Sequence, residues 1–309
     1  MNKKKRFNLS ILFFVSVFVL LLFVNGCTKK TTTTSTTFLG GTEGVKIEFK
    51  DVAPPSEFDQ GEDVPVKVIL KNNGEYDIVT GNAKAKIYGI NLQDFGLTGD
   101  YKSNLGLLRG KGEFLEQGGE QEVSFGNLNY NQPVINSRDF TIRAKVCYPY
   151  QTNAEIDVCV KASTSVDDTI CSLDGEKIVT GGVSGAPIQI TSLTEKSRSS
   201  DQVRFDILFE NKGGGNVYTE DITCEELDDD MIAMNNKNKF TLEIISPLDV
   251  KCSFRNGEDS NIGEVELENN IGQISCWMDV EETYKDVLRI VLKYRYTDTT
   301  SKNIRVFEV

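Results

Sequence analysis

The strongest constraint on the fold is a strand-and-turn pattern that occurs twice in the chain. In Val64–Leu70 every second residue is apolar, and a turn follows in which Asn72 stands two residues before a glycine. In the second half, Val203–Phe209 alternates in the same way, and Asn211 again stands two residues before a glycine. A period of two places the apolar side chains on one face of a half-buried strand. The shared alternation and the shared turn indicate an internal duplication.

The remainder of both halves predicts more short strands with polar turns between them. One segment, Glu225–Asn235, predicts a short helix. Many short strands and almost no helical periodicity indicate an all-β chain built as a β-sandwich. The clearest further strands, with one predicted turn at Thr297–Thr300, are Val45–Val52, Phe140–Val146, Ile156–Val160, Pro187–Leu193, Leu288–Tyr296 and a last strand with Ile304 and Val306.

The strand of alternating valines and its asparagine-x-glycine turn resemble CARDB-type immunoglobulin-like domains of prokaryotic cell surfaces. The segment Gln117–Phe125 is similar to a later strand of such domains, in which glycines precede an alternating run. The resemblance implies two tandem immunoglobulin-like β-sandwich domains, and we expect them at residues 45–163 and 164–309. The whole chain also resembles membrane-anchored surface proteins of archaea, which implies a role in adhesion or assembly. The extra cysteines and the insert at Glu225–Asn235 in the second half depart from this pattern.

Residues 1–27 have the pattern of a signal peptide or signal anchor. The basic cluster Lys3–Arg6 precedes an apolar run, Leu9–Val24. Val24–Cys27 resembles the lipobox of prokaryotic lipoproteins, which implies that Cys27 carries a lipid. The alternative is an uncleaved signal anchor in which Cys27 has no role. In both cases the chain after Cys27 is expected on the extracytoplasmic face of the cell membrane, because the basic cluster stays inside.

A threonine-rich, low-complexity linker follows at residues 28–44. It carries the run Thr31–Thr37, in which Ser35 is the one other residue, and then Gly40 and Gly41. So little apolar surface cannot offset the entropy of an ordered chain. We therefore expect a spacer between the membrane and the first domain.

The cysteines after Cys27 are even in number, which in an exported chain predicts disulfide bonds. Strand phase places Cys147 and Cys159 on outward faces of strands expected to be adjacent, so we expect them to pair. The same reasoning places Cys252 and Cys276 on inward faces and predicts a buried bond between them. By elimination, Cys171 would pair with Cys224. Free structural thiols and a metal site are the alternatives, and the chain has no Cys-x-x-Cys spacing.

Charge and residue types argue against several functions. The formal net charge is −12, and a surface this acidic repels phosphate backbones, so no nucleic-acid partner is expected. The sequence has no histidine, the commonest general base and metal ligand. The glycine-rich segment Gly106–Gly112 lacks the spacing and the Ser or Thr of a phosphate-binding loop. We therefore expect no metal, no other cofactor and no enzymatic activity.

Two segments are candidates for contact with other molecules. The acidic residues between Glu225 and Asp230 suit either the solvated start of a helix, where carboxylates are favoured, or a calcium site. Helix start is the preferred interpretation because the spacing of a calcium loop is absent. Tyr148 and Tyr150 flank a proline in a predicted loop, and exposed aromatic residues there would suit partner contact. Tyrosines that cover a sheet edge are the alternative.

These features predict a non-enzymatic, membrane-anchored surface protein whose immunoglobulin-like domains serve adhesion through contact with a surface protein or a glycan. One alternative is a solute-binding lipoprotein of a transporter, although such proteins usually need alternating helices and strands. Another is a cell-surface hydrolase that uses carboxylates alone. No pair of acidic residues stands out for that chemistry.

Overall fold

The chain folds almost entirely into antiparallel strands, which confirms the predicted β-sandwich class. The computed structural model describes residues 38–161, 170–246, 249–255 and 257–309. Its helices are two 3₁₀ turns and one short α-helix, α1 (Asp230–Asn236). The strands are β1 (Val45–Phe49), β2 (Glu57–Asp59), β3 (Val64–Asn72), β4 (Lys84–Tyr88), β5 (Lys102–Ser103), β6 (Glu120–Leu128), β7 (Ser137–Val160), β8 (Ile188–Ser199), β9 (Gln202–Asn211), β10 (Asn216–Tyr218), β11 (Lys239–Ile245), β12 (Lys251–Ser253), β13 (Asp259–Ser260), β14 (Ile262–Glu266), β15 (Ile271–Asp279) and β16 (Tyr284–Phe307).

The strands form one central sheet and two smaller sheets. The central sheet has the order β14-β11-β16-β7-β4-β5, with β2 and β10 also paired to β16. The smaller sheets have the orders β1-β3-β6 and β13-β12-β15-β9-β8. The strands β3 and β9, which carry the repeated sequence pattern, lie in the middle of corresponding three-strand units. This correspondence is what an internal duplication predicts.

Two long strands, β7 and β16, join the two halves of the chain. Each has 24 residues, and they pair over their whole length, from Ser137 opposite Phe307 to Val160 opposite Tyr284. The central sheet therefore takes strands from both predicted domains. The boundary between residues 163 and 164 lies outside the described residues, and the division into two domains stays a prediction.

The predicted breaks in these long strands are wrong. Pro149 was expected in a loop and Thr297–Thr300 in a turn, but both lie inside continuous strands. Pro149 is tolerated because β4 pairs with β7 only up to Cys147, so no strand on that side needs the missing N–H. Thr297–Thr300 is opposite Ala144–Cys147 in the ladder, and this pairing outweighs the polar composition of the segment.

The disulfide bonds connect Cys147 to Cys224, Cys159 to Cys171 and Cys252 to Cys276. The pairing of Cys252 with Cys276 is confirmed, because these residues are direct neighbours on β12 and β15. The pairing of Cys147 with Cys159 is wrong. Both lie on β7, about 40 Å apart at the usual rise of a strand, whereas a disulfide needs Cα atoms within about 7 Å.

The pairing of Cys171 with Cys224, which rested on elimination, is also wrong, because each of them bonds to one of the two β7 cysteines. Cys147 and Cys159 do point to the outer face of the central sheet, as their phase predicts. They are nevertheless almost fully buried, with 1% and 2% exposure, because the segments that carry Cys224 and Cys171 cover them.

Candidate functional site

Tyr148 and Tyr150 lie in the core, so the prediction that they form an exposed contact loop is wrong. They are 1% and 2% exposed, since β7 continues through them and its even-numbered residues face inward. The ladder places Tyr296 opposite Tyr148 and Tyr294 opposite Tyr150. We call these four residues the tyrosine cluster; it marks the place where the two halves meet.

The hydroxyls of the tyrosine cluster bind the same elements in each half. The Tyr150 hydroxyl donates to Asn72 Oδ1 at 2.9 Å, and the Tyr296 hydroxyl donates to Asn211 Oδ1 at 2.8 Å. The turn glycines have no room for a side chain, because a Cβ at Gly74 would overlap the Tyr150 hydroxyl. The asparagine and the glycine that the two turns share therefore contact the tyrosine beneath each turn.

Burial keeps these hydroxyls protonated. It raises the pKa of Tyr148 and Tyr294 well above the usual value for tyrosine. Burial also raises the pKa of Tyr150 and Tyr296, the two phenols that donate to the turn asparagines. The tyrosine cluster is therefore a structural junction.

The insert of the second half, residues 219–237, lies on the outer face of the first half. Cys224 is disulfide-bonded to Cys147 of β7. Glu225 pairs with Lys84 at 2.6 Å. Asp228 pairs with Lys86 at 2.6 Å and also with Lys145. Beside it, the Tyr101 hydroxyl lies within hydrogen-bond distance of two acceptors, Asp228 Oδ1 at 3.0 Å and the Cys224 carbonyl oxygen at 2.8 Å. The insert thus connects the halves covalently and by charge.

The acidic run lies at the start of a helix, which is the interpretation that the sequence favoured over a calcium site. Asp229 caps α1, because its carboxylate accepts hydrogen bonds from the amides of Met231 and Ile232 at 2.9 and 3.1 Å. Sequence reasoning missed the ion pairs of Glu225 and Asp228 to lysines of the first half. Among the described residues, no group of three or more acidic, cysteine or histidine side chains could hold a metal ion.

Asp228 makes folding stability depend on pH. Burial raises its pKa, but the hydrogen bonds and charges of Lys145 and Lys86 outweigh this effect and leave the pKa below its usual value. A carboxyl with a lowered folded-state pKa stabilises the fold above its unfolded pKa, about 3.9, and this contribution is lost as pH falls through the folded-state pKa. We expect Asp228→Asn to lower the free energy of unfolding by about 1 kcal/mol at pH 7 and by much less near pH 2.

Urea unfolding of both proteins at the two pH values measures this difference. Asp230→Asn is the matched control, since it removes the same charge from the first turn of α1, which faces solvent. A deficit of Asp228→Asn that is equally large at both pH values would contradict the role given to the ion pairs.

The exposed face of α1 carries apolar side chains. Met231 and Met234, three residues apart on the same face, are 66% and 67% exposed, and Ile232, to the side of this face, is 38% exposed. We call these three residues the methionine patch. A cavity of about 350 Å³ lies beside it, lined by Ile232 and by the carboxylates of Asp221, Glu226 and Glu264. The sequence analysis did not identify the methionine patch. The one available indication is that Met231, Ile232 and Met234 do not alternate with polar residues, so they are not part of a strand that would bury them.

The remaining predicted positions lie elsewhere. Cys27, the segment 1–27 and residues 28–37 of the linker lie outside the described residues. No helix in the described part of the chain is long and apolar enough to cross a membrane.

Comparisons with known proteins give little guidance. No protein-family model matches the chain, and no curated protein matches it significantly. Among solved structures, the CupB6 tip adhesin from Pseudomonas aeruginosa is similar at 5% identity, over 87% of this chain and 98% of that chain, with a TM-score of 0.18. A TM-score this low supports no conclusion about fold or function. The resemblance to CARDB-type domains stays a prediction.

Proposed function

We propose that the chain is a non-enzymatic surface protein, anchored to the membrane by its N-terminus, that binds another surface protein through the methionine patch. The observation that carries the proposal is the exposure of Met231 and Met234 on a helix that is fixed in place. Monomeric proteins rarely keep large apolar groups together in water unless a partner covers them. Methionine is common at such surfaces because its flexible, polarizable side chain adapts to a partner.

The support beneath the methionine patch favours binding. The disulfide to Cys147 and the ion pairs of Glu225 and Asp228 hold the insert against the central sheet. A fixed surface loses little conformational entropy when a partner binds. A mobile surface loop would lose more.

The adjacent cavity indicates the chemistry of the partner. Its lining combines the apolar Ile232 with three acidic residues, Asp221, Glu226 and Glu264. Lys239 already pairs with Glu264 at 3.2 Å and Thr223 donates to Glu226, so Asp221 contributes most to the attraction for positive charge. A protein segment with an apolar side chain beside a lysine or arginine would fill the cavity and pair with its rim. A glycan, which offers no cationic group of this kind, fits less well.

The membrane location rests on the N-terminal sequence. The basic cluster, the apolar run Leu9–Val24 and Cys27 support export and anchoring. The two long paired strands and the second-half insert on the first half favour a rigid body over a catalytic cleft.

Photo-crosslinking on intact cells tests the proposed contact. A photoreactive amino acid is placed at position 231 or 234 of the full-length chain, and at 271 as a control, since Ile271 is 51% exposed but lies on a different sheet. We expect one protein species to crosslink from 231 and 234 and to be absent from 271. Asp221→Asn should reduce the crosslink about threefold or more, as expected for a rim charge. The proposal fails if 231 and 234 give no product, or give the products seen from 271.

A further inference from the structure

A second exposed apolar surface lies on the loop between β5 and β6. We call residues 104–119 the apolar loop. Phe114 is 97% exposed and Leu105 is 89% exposed, and Leu107 and Leu115 are exposed in part. Phe114 lies at the tip of a tight turn closed by two backbone hydrogen bonds between Gly112 and Leu115, of 3.2 and 3.0 Å. Within the described part of the chain, the ring is therefore almost fully open to solvent.

Hydrogen bonds between its backbone and the side-chain amides of Asn104 and Gln121 fix the conformation of the apolar loop. Asn104 is 1% exposed; its side chain accepts from the Ala83 amide at 2.9 Å and donates to the carbonyls of Val79 and Gly106. The side chain of Gln121 accepts from the amides of Leu105 and Gly106 at 3.1 and 3.2 Å. Its amide nitrogen donates to the Leu107 carbonyl. The backbone is therefore satisfied while the leucines face water, so the exposure is part of the folded structure.

The middle of the apolar loop lies beside the first described residues of the chain. The carboxylate of Glu75 accepts from the amides of Leu39 and Gly40 at 2.8 and 2.9 Å. Gly110 packs against the backbone of the same Glu75, where a Cβ would overlap it. Leu39 is itself 58% exposed. The last part of the linker and the middle of the apolar loop therefore both contact Glu75.

The length of the linker limits how far this contact can lie from the anchor. Ten residues lie between Cys27 and Phe38. A fully extended chain spans about 3.5 Å per residue step, so the distance between the two is at most about 40 Å. We propose that the apolar loop inserts into the outer lipid surface of the membrane that holds the N-terminus. This inference rests on the proposed anchoring.

The charges of the apolar loop indicate which part of the lipid it meets. Arg109 and Lys111 are balanced by Glu113 and Glu116, so the loop has no net attraction for anionic headgroups. Contact therefore depends on burial of Phe114 and its leucine neighbours among acyl chains, as for other interfacial segments. Such contact is insensitive to salt and forms on zwitterionic lipid.

Quenching by brominated lipid tests the contact. The full-length chain carries Trp277→Phe to remove the native tryptophan and Phe114→Trp to report on the loop. Its matched control carries Ile135→Trp, because Ile135 is 83% exposed and lies next to the start of β7, far from Glu75 along that strand. Both proteins are reconstituted into phosphatidylcholine vesicles with acyl chains brominated near the headgroup. We expect about twofold or stronger quenching in the Phe114→Trp protein, little in the control, and no change in high salt.

The outcomes separate the two proposals. Equal quenching in the two proteins, both bound to vesicles, overturns the insertion of the apolar loop and leaves the anchoring intact. Quenching that disappears in high salt also overturns it, because the contact would then be electrostatic. A full-length chain that does not sediment with vesicles overturns the anchoring and the loop proposal together. A quenching difference that Leu105→Ser reduces would support the whole apolar surface as the contact.

Discussion

Replacing Cys147 and Cys224 together by alanine is expected to lower the free energy of unfolding by about 4 kcal/mol. This disulfide closes the longest loop of the three, with a sequence separation of 77. A bond that closes a long loop removes many conformations from the unfolded chain, and the gain grows with loop length. Both sulfur atoms are also buried, so their removal leaves a small cavity between the insert and β7.

The matched control is the pair Cys159→Ala and Cys171→Ala, which opens a loop with a separation of 12. The chain-entropy relation predicts a loss of about 3 kcal/mol for this shorter loop. Urea unfolding under non-reducing conditions measures both. If the long-range pair costs less than the short-range pair, the bond to the insert does not restrain the unfolded chain as described. A third protein, Cys252→Ala with Cys276→Ala, should fall between them, because its separation is 24.

The first pair should also affect the methionine patch. Without the bond, the insert is held by the ion pairs of Glu225 and Asp228 to lysines of the first half. Such pairs at a partly exposed surface contribute about 1 kcal/mol or less each. Hydrogen exchange in residues 224–236 should therefore rise in the double variant well before the sheets unfold. Exchange at Val203–Phe209 should stay slow.

Alternation in the sequence was enough to predict strands and the sandwich class, because burial on one face of a strand requires a period of two. Val64–Leu70 and Val203–Phe209 became equivalent strands for this reason. The length of β7 was not predictable in this way. Pro149 and Thr297–Thr300 are typical of loops, and only the opposite strand, distant in sequence, keeps them extended. The wrong cysteine pairings follow from this one error, since Cys147 and Cys159 were expected on separate strands.

The candidate surfaces were harder to predict than the fold. The phase of Tyr148 and Tyr150 points inward, but the proline between them suggested a loop. Met231 and Phe114 are apolar residues whose exposure depends on how their segments are fixed, by a disulfide in one case and by Asn104 and Gln121 in the other. No local pattern carries this information.

Asn72→Ala is expected to lower the free energy of unfolding by about 4 kcal/mol. Asn72 has no exposed surface, and its side chain donates to the carbonyls of Tyr76 and Leu108 at 2.7 and 3.2 Å. It also accepts from the Tyr150 hydroxyl and from the Gly74 amide. Each buried polar group left without a hydrogen-bond partner costs about 1–3 kcal/mol. Asn72→Ala would leave several such groups without a partner.

The duplicated half supplies the matched control. Asn211 makes the corresponding bonds to the Gly215 carbonyl, the Gly213 amide and the Tyr296 hydroxyl, but it is only partly buried. Water can reach the groups that Asn211→Ala would free, so we expect a loss of about 2 kcal/mol. Urea unfolding of both variants, with Tyr150→Phe alone and combined with Asn72→Ala, measures the coupling of asparagine and tyrosine. Equal losses at the two asparagines would contradict the effect ascribed to the deeper burial of Asn72. Additive effects of Asn72→Ala and Tyr150→Phe would show that the hydrogen bond between Asn72 and Tyr150 does not stabilise the junction of the two halves.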